Sequence, residues 1–288
     1  MAKEPLSLTA KVVAITGGGR GIGRATALAL AREGARVAVG DLDREAAEQV
    51  AAELGGDALG LPLDVTDHAG FSAFLDEVEQ RLGPLDVLVN NAGIMPVTPL
   101  VEETPESIAR QLEINLHAVI HGTQEAMRRM VPRRSGHIVQ LASLAGRVGL
   151  PQLATYCATK HGVVGLSEAV SVELRHTGVE VSVVMPGIVK TELTTGLTDP
   201  RGVKTLEVDE VADAIVGALK KPRFDVFVPR SSGPLVQIGA ALPRRLRLAI
   251  GRALKVDQAT ANTDRRARVE YEARAAASAP AAEERAAA

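Results

Sequence analysis

The sequence predicts a doubly wound α/β fold, one parallel sheet of seven strands with helices on both faces, followed by a C-terminal helical extension. Three observations predict it. Between Lys11 and Pro229, short β-branched runs alternate with longer segments of helical period. The intervals between strands are too long for hairpins, so neighbouring strands should run parallel. A glycine-rich turn joins the first strand to the first helix.

The elements follow in order. Val12–Ile15 is an apolar run suited to a strand buried on both faces. The helical segment Ile22–Glu33 leads to the second strand, Arg36–Gly40. Arg44–Leu54 and Ala58–Leu63 repeat the helix–strand unit, as do Gly70–Leu82 and Val87–Val89. A long helical stretch, Pro105–Met130, precedes the strand His137–Leu141. Thr155–Thr177 then leads to the strand Glu180–Val184, and Asp209–Leu219 leads to the last strand, Asp225–Val228. Between these last two units, Gly187–Leu206 carries Thr, Gly, Asp and Pro without a clear period, the mark of a functional lid or of disorder. Residues 1–229 are therefore read as one domain and 230–288 as an extension.

Composition removes several classes of function. Four Phe, two Tyr and no Trp are too few rings for a single-strand nucleic-acid platform, and a net charge of −2 exerts no general pull on polyanions. Cys157 is the sole cysteine, which excludes an internal disulfide and a multi-cysteine metal site. No uncharged apolar run reaches the ~18 residues of a spanning helix. Met1–Thr9 lacks an apolar stretch, so no secretory leader is expected and the cytoplasm is the expected compartment.

Two clusters carry chemistry. In the first, the opening strand runs into Thr16-Gly17-Gly18-Gly19-Arg20-Gly21-Ile22-Gly23 and then into a helix. Glycines let backbone N–H groups approach a phosphate, and a helix N-terminus adds positive dipole charge. An ordinary βα turn would look similar. Asp41 adds context, because it lies 18 residues beyond Gly23 at the end of the second strand, where a carboxylate can accept both ribose hydroxyls of a dinucleotide. The second cluster is Ser143, Tyr156 and Lys160. The four-residue spacing of Tyr156 and Lys160 stacks them on one helix face, where a cation would lower the phenol pKa and make it a proton donor or acceptor.

Together these residues resemble the short-chain dehydrogenase/reductase family over about Lys11 to Pro229, which implies a Rossmann fold. The pattern includes Thr-Gly-x-x-x-Gly-x-Gly, Asp64-Val65, Asn90-Asn91-Ala92-Gly93, Asn115, Ser143, Tyr156 with Lys160, and Pro186-Gly187 with Thr191. By this resemblance Gly17, Gly19, Arg20, Gly21, Ile22, Gly23 and Asp41 bind the cofactor's phosphates and adenosine ribose, and Asp64 and Val65 flank its adenine. Asn90, Asn91, Ala92 and Gly93 support the cofactor and the sheet, and Pro186, Gly187, Ile188 and Thr191 face the nicotinamide. Ser143 would bind the substrate oxygen, Tyr156 would move the proton, Lys160 would lower the Tyr156 pKa and hold the ribose, and Asn115 would anchor a relay water. The implied function is hydride transfer between an alcohol and a ketone or aldehyde, with NAD preferred over NADP because Asp41 repels a 2′-phosphate. Arg20 and Arg44 pull the other way. The rivals are a dinucleotide-binding sensor or scaffold without catalysis and a reductase of small polar carbonyls. The family also implies a homodimer or homotetramer built on the long helices.

Other features have plainer readings. His117 and His121, four apart, lack a Glu between them and a third ligand, so they read as surface or subunit contact and no metal is expected. Cys157 reads as a packing residue. Residues 230–255 carry six basic groups and no acid, a local charge of +6 against −8 elsewhere. The stripe Leu235, Ile238, Leu242, Leu246, Ile250 and Leu254 makes this a basic amphipathic helix, suited either to docking on the fold or to peripheral contact with an anionic membrane. Docked over the cleft, it would favour a hydrophobic lipid-, steroid- or retinoid-like substrate. The Ala-rich run 272–288 reads as a frayed tail.

Overall fold

The computed structural model describes residues 5–197, 204–243, 245–246, 249, 263–264 and 266–278. Seven parallel strands form one sheet: β1 (Val12–Thr16), β2 (Arg36–Asp41), β3 (Leu59–Pro62), β4 (Val87–Asn90), β5 (Gly136–Leu141), β6 (Val179–Pro186) and β7 (Asp225–Val228). Their spatial order is β3-β2-β1-β4-β5-β6-β7. The chain moves outward from β1 in one direction to β3, then crosses back and moves outward in the other. Ligands of open α/β sheets lie at such a reversal, outside the carboxyl ends of the strands.

Helices cover both faces. α1 (Gly21–Arg32), α2 (Arg44–Leu54) and α7 (Val208–Lys220) pack on one side, where Leu30, Val50 and Ile215 meet Val13, Ile15 and Val39 in one apolar core. α3 (His68–Leu82), α4 (Pro105–Leu112), α5 (Ala118–Met130) and α6 (Ala154–Glu173) follow the other strands. Phe71, Leu75, Met130 and Val170 pack there against Val12, Ala14, Leu88 and Ile138. Val12 to Thr16 are all buried, which is why β1 reads as a continuous apolar run rather than an alternating one.

Three segments depart from the expected elements. The stretch expected as one helix over Pro105–Met130 is α4 and α5 joined by a π-helical turn, Glu113–His117. Its wider backbone turns the fully buried Asn115 toward the loop after β4. The Gly187–Leu206 stretch is pinned at its ends by a parallel bridge between Val189 and Leu206, with a short 3-10 turn at Glu192–Thr194.

The C-terminal extension departs furthest. α8 (Ser232–Ala241) carries Leu235 and Ile238 of the apolar stripe, both exposed, and Ile250 and Leu254 of that stripe lie outside the described residues. The expected frayed tail is instead a helix over its first residues: α9 (Val269–Ala277) buries Tyr271 and Ala275. Residues 268, 271 and 275 recur at helical spacing, so one face of α9 docks while Val269 and Glu270 face solvent.

Candidate active site

The carboxyl ends of the strands open into one cleft of about 1710 Å³. At its dinucleotide end, β1 runs through Gly17 (φ +63°) and Gly21 (φ +51°) into α1. A Cβ on Gly17 would lie 2.8 Å from the Ala92 Cα, and one on Gly23 would lie 2.3 Å from the Gly17 carbonyl oxygen. Neither position admits a side chain, so the turn comes close to the β4 loop. Asn91 fixes it there, donating from Nδ2 to the Thr16 and Gly17 carbonyls at 2.9 and 2.7 Å. No side chain caps the N-terminus of α1. Its first N–H groups therefore remain available to a phosphate, so a dinucleotide pyrophosphate fits this turn.

Asp41 ends β2 at the rim. Its Oδ2 accepts from the Gly19 N–H at 2.8 Å and its Oδ1 from the Asp43 N–H at 3.0 Å. These bonds hold the carboxylate toward the glycine turn. Arg20 is paired with Asp43, and both side chains are more than two-fifths exposed, so the pair holds the guanidinium only loosely. Asp64 takes the Thr66 N–H and hydroxyl, both at 2.8 Å, and lines the cleft beside Val65.

At the other end, β5 delivers Ser143 and α6 delivers Tyr156 and Lys160 one turn apart, all lining the cleft. Lys160 donates to the Leu141 carbonyl at 2.7 Å, and its Nζ lies 5.7 Å from the Tyr156 ring centre. Burial pushes the Tyr156 phenol up to about 12, against a smaller opposite effect of the Ser143 hydroxyl, and brings the Lys160 ammonium down to about 8. Burial disfavours the charged form of each group, and the ammonium bonds the Leu141 carbonyl.

Pro186, Gly187, Ile188 and Thr191 also line the cleft, with the Thr191 methyl 3.5 Å from where a Gly21 Cβ would stand. Three expected site residues lie behind the wall. Gly19 supports Asp41, Gly23 packs against the turn, and Asn115 has its amide committed to Ile94, accepting from its N–H and donating to its carbonyl at 2.8 Å each. Gly93 lies between, its Cβ position 3.2 Å from the Asn115 Oδ1 and 3.7 Å from the Lys160 Nζ. Asn90 joins β4 to β5 in a buried network, donating to Gln140 at 3.0 Å.

Other candidates fall away from the cleft. His121 stacks on His68 at 4.1 Å and His117 bonds Glu113 at 3.0 Å. Cys157 is buried, which raises its thiol pKa. The sequence reading missed Arg268 and Tyr271. Their signal was the helical recurrence of 268, 271 and 275, set among charged residues and alanines.

Comparisons with known proteins agree with this geometry. The family described as short chain dehydrogenase matches residues 11–202. Sorbitol dehydrogenase of Cereibacter sphaeroides is 40% identical over 212 residues, covering 70% of this chain and 83% of that one. The human 3-oxoacyl-[acyl-carrier-protein] reductase is 38% identical over 218 residues, covering 74% and 92%. A crystal structure of a short chain dehydrogenase/reductase from Burkholderia phymatum in complex with NAD superposes with a TM-score of 0.75 at 26% identity, covering 82% of this chain and 95% of that one. The chain is accordingly an oxidoreductase of alcohol and carbonyl groups that works with a nicotinamide dinucleotide. It belongs to the short-chain dehydrogenase/reductase family.

Proposed function

We propose that the chain interconverts a hydrophobic alcohol and its ketone or aldehyde with NAD as the hydride carrier. The observation that carries this reading is the group of apolar side chains Leu144, Val148, Leu150, Leu193, Leu197 and Val236 in the lining of the cleft, where they stand among polar residues such as Arg147, Glu192 and Arg274. A polyol would leave hydroxyls unpaired against these side chains, whereas an alkyl or ring system would be desolvated by them.

The bound nicotinamide would supply or accept the hydride. Ser143 then holds the substrate oxygen beside the Tyr156 hydroxyl. Tyr156, protonated at neutral pH, donates its proton to that oxygen in the reductive direction and takes it back in the oxidative one. Lys160 places a charge beside the phenol that stabilises its deprotonated form, and it would hold a ribose hydroxyl of the bound cofactor. Asn115 acts as a positioning residue through Ile94 and so holds the loop that carries Gly93.

NAD over NADP follows from Asp41. Its carboxylate is held at the rim by two N–H groups, and a 2′-phosphate placed against it meets like charge. Arg20, the group that would offset this, is an exposed side chain whose pairing with Asp43 is weak, so the preference rests on the Asp41 carboxylate. The domain is read as 1–229 and 230–288 as an extension, a reading supported by Val236 of α8 and Tyr271 of α9, which line the cleft. Exposed Leu112 and Val172 support self-association through α4, α5 and α6 as a dimer or tetramer, which sedimentation would measure. Exposed Ile238 on α8 supports reversible contact with anionic lipid, which liposome flotation would measure.

The test of the substrate class is steady-state kinetics with NAD on a series of secondary alkyl alcohols and on sorbitol. The proposal expects kcat/KM to rise with alkyl length and to be lowest for sorbitol. A preference for sorbitol would establish the polar-carbonyl rival. Tight NAD binding with no turnover of either class would establish a sensor or scaffold.

A further inference from the structure

α9 brings a second tyrosine into the cleft that holds Tyr156. Tyr271 is more than nine-tenths buried, yet its side chain lines the same cleft. It is held from two directions. The Arg268 guanidinium lies 4.9 Å from the ring centre, and the Tyr271 hydroxyl oxygen accepts from the Met95 N–H at 2.6 Å.

Arg268 makes this placement rigid. Its side chain is 2% exposed, and it donates to the carbonyls of Leu193 (2.7 Å), Thr195 (2.9 Å) and Met95 (2.8 Å) and to Glu272 (2.9 Å). One buried fork thereby ties together the segment around Leu193 and Thr195, the loop after β4 and α9. From this assembly Tyr271 lines the cleft together with Met95 and Leu193, and its hydroxyl is the polar group it brings there from α9.

The Met95 N–H occupies one lone pair of the phenol, so the phenol's own proton must point elsewhere. Among the described residues no acceptor takes it. Ionisation of Tyr156 would raise the Tyr271 pKa, as expected of two phenols facing one space. A plain hydrocarbon ligand would leave a buried donor unpaired, while a ligand with a second oxygen would satisfy it.

We propose that Tyr271 is a specificity-determining residue that donates its hydroxyl proton to a second oxygen of the substrate, beyond the carbon that reacts at Tyr156. The inference rests on the alcohol/ketone reading and narrows it to an alkyl or ring substrate bearing an additional carbonyl, ester or hydroxyl oxygen. The ring of Tyr271 supplies apolar contact, its hydroxyl selects, and Arg268 is the positioning residue.

Calorimetry on the NAD-saturated full chain tests this with 2-octanone and its 2,4-, 2,5- and 2,6-dione analogues, none of which can give hydride to NAD. The expected result is that at least one dione binds the wild type about three- to ten-fold tighter than 2-octanone, the range of one neutral hydrogen bond. In Tyr271→Phe the ratio of the two dissociation constants should return to about one, within the error of one such bond. Diones that bind the wild type no tighter than 2-octanone overturn the inference, and this arm holds even where the variant does not fold. A dione preference that persists in Tyr271→Phe overturns it as well. If NAD binds and neither ketone class does, the alcohol/ketone reading itself fails and takes the inference with it.

Discussion

Replacing Arg268 with methionine should release the lid without unfolding the sheet. The substitution keeps much of the apolar volume and removes the guanidinium, leaving the carbonyls of Leu193, Thr195 and Met95 without their donor in a site that is almost dry. Glu272 is one-third exposed and can rehydrate, so it adds little to the cost. At about 1 kcal/mol for each stranded carbonyl, the clasp loses roughly 3 kcal/mol. That corresponds to about a hundred-fold increase in its opening equilibrium. The loss is local, because Arg268 touches no strand of the sheet through these bonds. Amide hydrogen exchange resolved by residue is the assay. The amides of Thr194, Leu197 and Glu272, which bond Thr191, Thr194 and Arg268, should exchange about a hundred-fold faster in Arg268→Met. Those of Val89 and Val139 in the central strands should not change. Wild-type exchange at Thr194 and Leu197 would refute the view that Arg268 holds the lid.

Three further outcomes are expected. Tyr156→Phe keeps the ring and removes the transferable proton, so kcat should fall at least about 10²-fold while binding of the reduced cofactor, followed by nicotinamide fluorescence, persists; activity within tenfold of wild type would remove Tyr156 from its role. Asp41→Ala removes the rim carboxylate, and the ratio of kcat/KM for NADP to that for NAD should rise about tenfold or more; an unchanged ratio would place cofactor selection elsewhere. His137 is buried on β5 against Ser182 at 2.9 Å, and burial holds its pKa down to about 4. Above the unfolded value of about 6.5 neither state is protonated and stability is full. Between there and pH 4 the unfolded chain binds a proton that the folded chain refuses, so stability falls as pH drops, by about 3 kcal/mol at pH 4. Urea midpoints at pH 7 and pH 4.5 should converge in His137→Gln, and an undiminished difference would show that other groups set the acid limit.

The parts of the site that were legible in the sequence are those whose function forces a residue type at a fixed spacing. Gly17 and Gly23 cannot carry a Cβ, Asp41 must end a strand, and Tyr156 with Lys160 must share a helix face. Strands such as Val12–Thr16 were legible because both faces are buried and every position is apolar or small. The π-helical turn at Glu113–His117 left no trace in the pattern, since it shifts the backbone without altering the helical recurrence on either side. The burial that shifts Tyr156 and Lys160 is a tertiary property that their local spacing does not report. α9 itself was hidden by composition. Alanine is the best helix former and makes little periodic contrast, so the docking face rests on Arg268, Tyr271 and Ala275 alone. A buried Arg bonding three carbonyls is a tertiary fact, invisible until Met95, Leu193 and Thr195 are in place.

The most direct test of the account follows the hydride itself. NAD is incubated with 2-octanol carrying deuterium on its carbinol carbon, and the reduced cofactor is analysed by mass spectrometry. The account predicts deuterium in the reduced nicotinamide from the wild type and none above background from Tyr156→Phe. NAD that binds the wild type yet stays oxidised, with 2-octanol and with the longer alcohols alike, would contradict it.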